Sequence, residues 1–175
     1  MSDPKLTVMR TIWGALLSGT VMFLVVGYVV ISERHEVPAP EPLLLPVLAV
    51  TAVSLALGSV LLPPFLLRQA FAALKLVTTD APSPGPSTAR RRGKRFVDPQ
   101  SIRSRLVLVA QPSFIIGMAL AEAVAVHGFV LWFVGFEFAF IIPFFVVCWG
   151  LMLSKFPRPG AFEHTLEGVY DADLA

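Results

Sequence analysis

Four apolar runs constrain the fold of this chain more than any other feature. They cover residues 11–31, 43–62, 113–133 and 138–154, and together they contain a single charged side chain, Glu122. A transmembrane helix needs ~20 mostly apolar residues, at ~1.5 Å each, to cross the ~30 Å hydrocarbon core of a bilayer. The runs therefore predict an all-α, polytopic membrane protein whose four transmembrane helices form two helical hairpins.

The composition supports a membrane location and argues against several kinds of site. Of the 175 residues, 55% are hydrophobic and 15% are charged, whereas soluble domains contain about 25% charged residues. Cys148 is the one cysteine, so the sequence predicts neither a disulfide framework nor a Cys/His metal cluster. It also contains no nucleophile motif or phosphate-binding glycine loop. We therefore expect no metal and no cofactor, and we place enzymatic activity behind two other functions.

The distribution of charge indicates which segments face the cytoplasm. Residues 68–105 contain nine Lys or Arg and two acids, whereas the connections 32–42 and 134–137 together contain one Arg and four Glu. Lys and Arg concentrate in the cytoplasmic loops of membrane proteins. We therefore expect both termini and the long central loop in the cytoplasm; these segments are residues 1–10, 63–112 and 155–175.

The long central loop carries three expected features. Pro63 and Pro64 should end the second helix, after which a short surface helix forms or the second span splays outward. Residues 78–95 are rich in Pro, Ser and Gly, which predicts a flexible segment. The basic cluster in this loop is expected to bind anionic lipids rather than nucleic acid. The cluster consists of Arg90, Arg91, Arg92, Lys94 and Arg95.

Helix boundaries in the second half of the chain follow from prolines and a glycine. Asp98 and Pro99 predict the start of a helix, because proline is tolerated at the first helical position. Pro112 should bend this helix or separate a surface helix from the third span. Gly135 is expected to make the turn before the fourth span, and the acidic tail is expected to be weakly ordered.

Glu122 is the strongest candidate for a functional residue. It lies near the centre of the third apolar run, where an ionisable side chain costs at least ~2.5 kcal/mol and therefore suggests a function. No Lys or Arg lies within any of the four runs. We expect Glu122 to be protonated at rest or to hold a cation, with hydroxyl groups as its partners. The hydroxyl side chains at suitable depths are Ser18, Thr20, Thr51 and Ser54.

A stripe of small residues runs beside Glu122 on the same helix. On a helical wheel of ~100° per residue, the stripe covers about 80°, and Glu122 lies at its edge. His127 falls too far round the helix for a simple pair with Glu122. Small residues let a second helix pack closely, so the stripe predicts a helix–helix contact. The stripe consists of Gly117, Ala121, Ala125 and Gly128.

Residues 116–130, which read IGMALAEAVAVHGFV, resemble the carboxylate-bearing helix of the rotary ATP synthase proteolipid, subunit c. That helix typically combines small residues, an Ala-Leu-Ala-Glu-Ala segment, several aliphatic residues and then an aromatic residue and a glycine. The resemblance implies that Glu122 is an ion-carrying carboxylate and that His127 stands where the family usually has tyrosine. It is confined to this helix, because the first two runs lack the family's dense glycine repeat and a fourth run follows.

Two functions remain open from the sequence. In the first, the protein is a non-catalytic accessory or scaffold component of a membrane assembly, and Glu122 forms hydrogen bonds between helices. In the second, it is a proteolipid-like protein that translocates protons or cations through Glu122, as an oligomer packed through the small-residue stripe. The expected partners are the lipid bilayer and either further copies or other membrane subunits. The absence of a eukaryotic sorting signal favours a bacterial inner membrane.

Overall fold

Helices make up most of the chain. The computed structural model describes residues 4–32, 41–74, 78–80, 94–96, 99–158, 161–170 and 172–173. Its helices are α1 (Pro4–Ser32), α2 (Leu44–Ala73), α3 (Pro99–Val134), α4 (Phe138–Ser154) and α5 (Ala161–Tyr170). Three short strands, β1 (Thr78–Asp80), β2 (Lys94–Phe96) and β3 (Ala172–Asp173), form one small sheet in which β2 is central.

In the part of the chain that the structure describes, three helices are long and apolar enough to cross a membrane. Their membrane-compatible segments are Leu6–Val30, Leu44–Ala73 and Arg105–Val134, whereas α4 is apolar but has only 17 residues. Large apolar side chains are exposed on the outer faces of these helices, as contact with lipid requires. The prediction of a helical, multi-pass membrane protein is therefore confirmed for three helices, which could each span a membrane.

Helix α3 lies at the centre of the bundle and contacts α1, α2, α4 and α5. Two glycines of α3 mark its closest contacts with neighbouring helices: Gly117 faces Pro63 of α2, and Gly128 faces Phe144 of α4. Phe23 of α1 packs against Phe129, with ring centroids 5.6 Å apart. The side chains that α3 places in the core are nearly inaccessible; they include Met118, Ala121, Val124, Ala125 and Leu131.

The predicted end of the second helix at the proline pair is wrong. Helix α2 continues through Pro63 and Pro64 to Ala73, so the residues that follow the prolines extend the second helix. Each proline removes one backbone hydrogen bond, at a cost of ~3 kcal/mol or more. Burial of Leu67 and Phe71 against α3 and α5 offsets this cost. Packing, which the local sequence does not reveal, therefore decides the length of α2.

Helix α3 begins at Pro99 as predicted and then runs without interruption through Pro112 to Val134. Within residues 99–134, the predicted surface helix and the third span are therefore one helix. The turn after α3 is centred on Gly135, as predicted, with φ of 107°. Gly135 N donates to Trp132 O (3.0 Å) and Phe136 N donates to Leu131 O (3.1 Å), the two bonds of a Schellman motif.

The segments outside the apolar helices contain more structure than the sequence predicted. At the two ends of the predicted flexible segment over 78–95, β1 pairs with β2, and β3 from the tail extends the sheet. Residues 81–93 of that segment lie outside the described residues. Instead of a weakly ordered tail, α5 packs on α2 and α3 with Leu166 fully buried. Phe162, Leu166 and Val169 follow helical spacing, which is the signal that indicates this helix.

Candidate functional site

Glu122 lies on the side of α3 that faces α1. Its Oε1 is 3.4 Å from the position that a Cβ would occupy at Gly19 of α1. The side chain is partly exposed, and one turn further along α3 Val126 is exposed as well. The carboxyl group is therefore at the outer edge of the contact between α1 and α3, in the middle of the segment that could cross a membrane.

No described residue forms a hydrogen bond or an ion pair with the Glu122 carboxyl group. All four predicted hydroxyl partners donate instead to a carbonyl of their own helix, the usual behaviour of Ser and Thr inside helices. Thr20 additionally accepts a hydrogen bond from Trp149 Nε1 of α4 (2.9 Å), so it links α1 to α4 rather than to Glu122. The prediction that these hydroxyl groups bind the Glu122 carboxyl group is therefore wrong. The bonds are Ser18 to Gly14 O, Thr20 to Leu17 O, Thr51 to Val47 O and Leu48 O, and Ser54 to Val50 O.

His127 also makes its contact within α3. Its Nδ1 donates to Ala123 O at 2.7 Å, four residues earlier in the helix. The helical wheel predicted that His127 does not pair with Glu122, and the structure agrees. The Glu122 carboxyl group consequently has no ionisable partner on its own helix.

The small-residue stripe is buried and packs within the chain. A Cβ added at Gly117 would lie 2.7 Å from Pro63 Cγ of α2, and one added at Gly128 would lie 2.7 Å from Phe144 Cβ of α4. Ala121 and Ala125, between these glycines, are fully buried. The predicted close helix packing is confirmed, but α2 and α4 of the same chain occupy the stripe. It is not a free surface for a second copy.

Two linked hydrogen bonds that the sequence did not predict connect α2, α3 and the end of α4. The Lys155 Nζ donates to Ser59 Oγ, and Ser59 Oγ donates to Gly117 O at 2.9 Å. Ser59 is fully buried and Lys155 is partly buried. The sequence predicted that residue 155 begins the cytoplasmic tail, whereas the Lys155 side chain turns back into the bundle. One feature of the sequence singles out Ser59: it lies four residues before Pro63. Proline has no backbone N–H, so the Ser59 carbonyl lacks the donor that it would have in a regular helix.

The predicted basic cluster is only partly covered by the structure. Arg90, Arg91 and Arg92 lie outside the described residues. Lys94 and Arg95 belong to β2, where Arg95 pairs with Thr79 and Lys94 with Asp80. Contact of this cluster with anionic lipids stays a prediction.

The chemistry available at Glu122 is that of a single carboxyl group. Within the described ranges, no three His, Cys, Asp or Glu side chains come close enough to hold a metal ion. A lone carboxyl group can donate or accept a hydrogen bond and can exchange a proton. No family model, curated protein or solved structure matches the chain, so the resemblance to the ATP synthase proteolipid stays a prediction.

Proposed function

We propose that this protein is a non-catalytic component of a membrane assembly, and that Glu122 binds a polar group on a transmembrane helix of a neighbouring subunit. One observation carries the proposal: in the described part of the chain, the Glu122 carboxyl group lies midway along an apolar helix, at the edge of the α1–α3 contact, and forms no hydrogen bond or ion pair. An unpaired polar group in hydrocarbon costs several kcal/mol. A donor from a second protein would offset that cost.

The proposal includes a fourth span formed by α4. Its 17 residues extend ~25 Å at ~1.5 Å per residue, the lower end of what a crossing requires. Two hydrogen bonds from indole groups support an orientation alongside α1: Trp13 Nε1 donates to Met152 O (2.8 Å), and Trp149 Nε1 donates to Thr20 Oγ1 (2.9 Å). With four spans, both termini and the central loop lie in the cytoplasm, and the membrane is a bacterial inner membrane.

The alternative is proton or cation translocation through Glu122. The absence of a hydrogen bond or ion pair supports this alternative too, because an unpaired carboxyl group is free to exchange a proton. A cation without its water shell needs several oxygen ligands, and no other described side chain contributes one to Glu122. We therefore place assembly first and translocation second.

Substitution of Glu122 separates the two functions. Glu122→Gln keeps the ability to form hydrogen bonds but cannot ionise, whereas Glu122→Leu loses both properties. For an assembly component, we expect the native complex to keep its size with Gln and to lose subunits with Leu. For a translocating protein, ion flux into proteoliposomes should be present in the wild type and absent with Gln. An unchanged complex with Leu would contradict the assembly proposal.

Photocross-linking identifies the partner directly. A benzoylphenylalanine at Val126, one turn from Glu122, should cross-link to another subunit, and the mass of the product distinguishes a second copy from a different protein. Val60 of α2, also exposed, is the control position. Equal cross-linking from both positions would indicate random contact in the membrane and would contradict a specific interface at Glu122.

A further inference from the structure

A cavity of about 240 Å³ lies where α4 ends, between the proline pair of α2 and the middle of α3. We call it the α4-end pocket. Its described polar lining residues are Ser113, Ser154, Lys155 and Arg158. Apolar side chains, among them Phe114 and Phe162, complete it. The pocket is separate from Glu122, so the inference does not depend on the proposed function of that residue.

The charged side chains that the structure describes in the α4-end pocket are all cations. Lys155 and Arg158 both line it, whereas no described carboxylate lines it or lies within ion-pair distance of either cation. A third cation, Arg10, lies over the ring of Phe156, another lining residue, at 5.5 Å from the ring centroid. The carboxyl end of α4 contributes about half a negative charge. The described residues therefore give the pocket a net positive charge.

Lys155 is the residue that most requires an anion. Its ammonium group has three donors and is partly buried. Its hydrogen bond to the neutral Ser59 hydroxyl supplies one partner without any negative charge. Burying a charged group is costly unless the charge is paired. An anion in the pocket would supply the missing charge for both Lys155 and Arg158.

The surroundings of the pocket indicate what kind of anion it accepts. The pocket is bordered by the apolar helices α2, α3 and α4, and side chains such as Leu67 and Phe114 line it beside the cations. An ammonium group and a guanidinium suit phosphate oxygens, because both provide charged donors. The Ser113 and Ser154 hydroxyls donate to Ala110 O and Leu151 O of their own helices, so the two cations are the available donors. A phosphate that carries acyl chains would place its polar part among these donors and its chains along the exposed apolar faces of the helices.

We propose that the α4-end pocket binds the phosphate headgroup of an anionic phospholipid through Lys155 and Arg158. Lys155 approaches the phosphate from the interior of the bundle, and Arg158 approaches it from the exposed rim. This site is distinct from the basic cluster around Arg90, because it is built from the end of α4 and the helices that pack against it. The headgroup would also hold the end of α4 against the proline pair of α2.

Lipid binding to the purified full chain tests this proposal. The protein is placed in a neutral detergent and titrated with phosphatidylglycerol or phosphatidylcholine, and bound lipid is counted by native mass spectrometry. We expect one phosphatidylglycerol to bind preferentially. Arg158→Gln and Lys155→Gln should each weaken that binding roughly tenfold or more, the effect of losing one charge-assisted hydrogen bond. Arg105→Gln, an exposed cation of α3 that does not line the pocket, is the matched control.

The outcomes decide the proposal even where one variant folds poorly. Arg158 is exposed, so its substitution leaves the packing of the bundle unchanged, whereas Lys155→Gln also removes a buried contact. Unchanged phosphatidylglycerol binding in Arg158→Gln, or an equal loss in Arg105→Gln, would overturn the site. Displacement of the lipid by inorganic phosphate at matched concentration would assign the pocket to free phosphate and overturn the lipid assignment.

Discussion

At Gly128, the backbone of α3 approaches α4 so closely that only hydrogen fits between them. A Cβ there would meet Phe144 Cβ at 2.7 Å, and this atom cannot move without its backbone. Gly27 of α1 is similarly close to the indole ring of Trp132. The sequence identified Gly128 as part of a packing stripe. It did not identify Gly27, because the closeness at that position depends on the Trp132 side chain from another helix.

We predict that Gly128→Ala destabilises the protein by roughly 1–3 kcal/mol, the usual cost of overpacking a filled interior. Thermal unfolding in detergent provides the measurement. Gly150→Ala on α4 is the matched control, because a Cβ there meets no atom within 4 Å, and its effect should stay within about 0.5 kcal/mol. Equal destabilisation by both substitutions would show that helix flexibility, rather than the contact with Phe144, explains the loss.

Among the elements, α5 and the second half of α2 depend on each other. Leu67 and Phe71 of α2 form a small core with Leu106 and Ala110 of α3 and with Leu166 of α5. This core lies beyond the proline pair, where α2 has lost backbone hydrogen bonds. The burial of these side chains therefore explains both why α2 continues past its prolines and why the acidic tail folds.

We predict that Leu166→Ala detaches α5 from the bundle, because truncating a buried leucine costs about 2–5 kcal/mol. Amide hydrogen exchange should increase across α5 and across α2 beyond Pro64. Gly168→Ala is the control on the same helix, since Gly168 is exposed and a Cβ there meets nothing within 4 Å. If exchange rises only in α5, the second half of α2 is stable without it and the coupling is absent.

For the molecule as a whole, the number of membrane crossings decides on which side the tail lies. Four crossings place Gly168 of α5 on the side opposite to Glu41 and Glu137, whereas three crossings with α4 on the surface place Gly168 and Glu137 together. These three residues are all described by the structure and are all exposed, so a cysteine at each is open to labelling. Cys148 is buried, so the natural thiol does not interfere with labelling.

We predict that Glu41→Cys and Glu137→Cys react with a membrane-impermeant maleimide applied outside intact cells. Gly168→Cys should react only after the cells are permeabilised. The wild-type chain, with its buried Cys148, should stay unlabelled in both conditions. Labelling of Gly168→Cys from the outside would contradict the fourth crossing and the cytoplasmic tail.

The sequence by itself determined the membrane class of this protein, the approximate extent of its apolar helices, the start of α3 at Pro99 and the turn at Gly135. These properties depend on the residues of a single segment: its apolar length and the backbone preferences of proline and glycine. The tertiary structure decided the rest. The residues packed opposite decide whether α2 continues past its prolines and whether α5 of the tail packs on the bundle. They also decide where the Lys155 side chain turns and which atoms the hydroxyl groups bind. For Glu122, the sequence determined its place in the middle of an apolar helix, whereas the packing of α1 against α3 left its carboxyl group without a hydrogen bond or ion pair in the described chain.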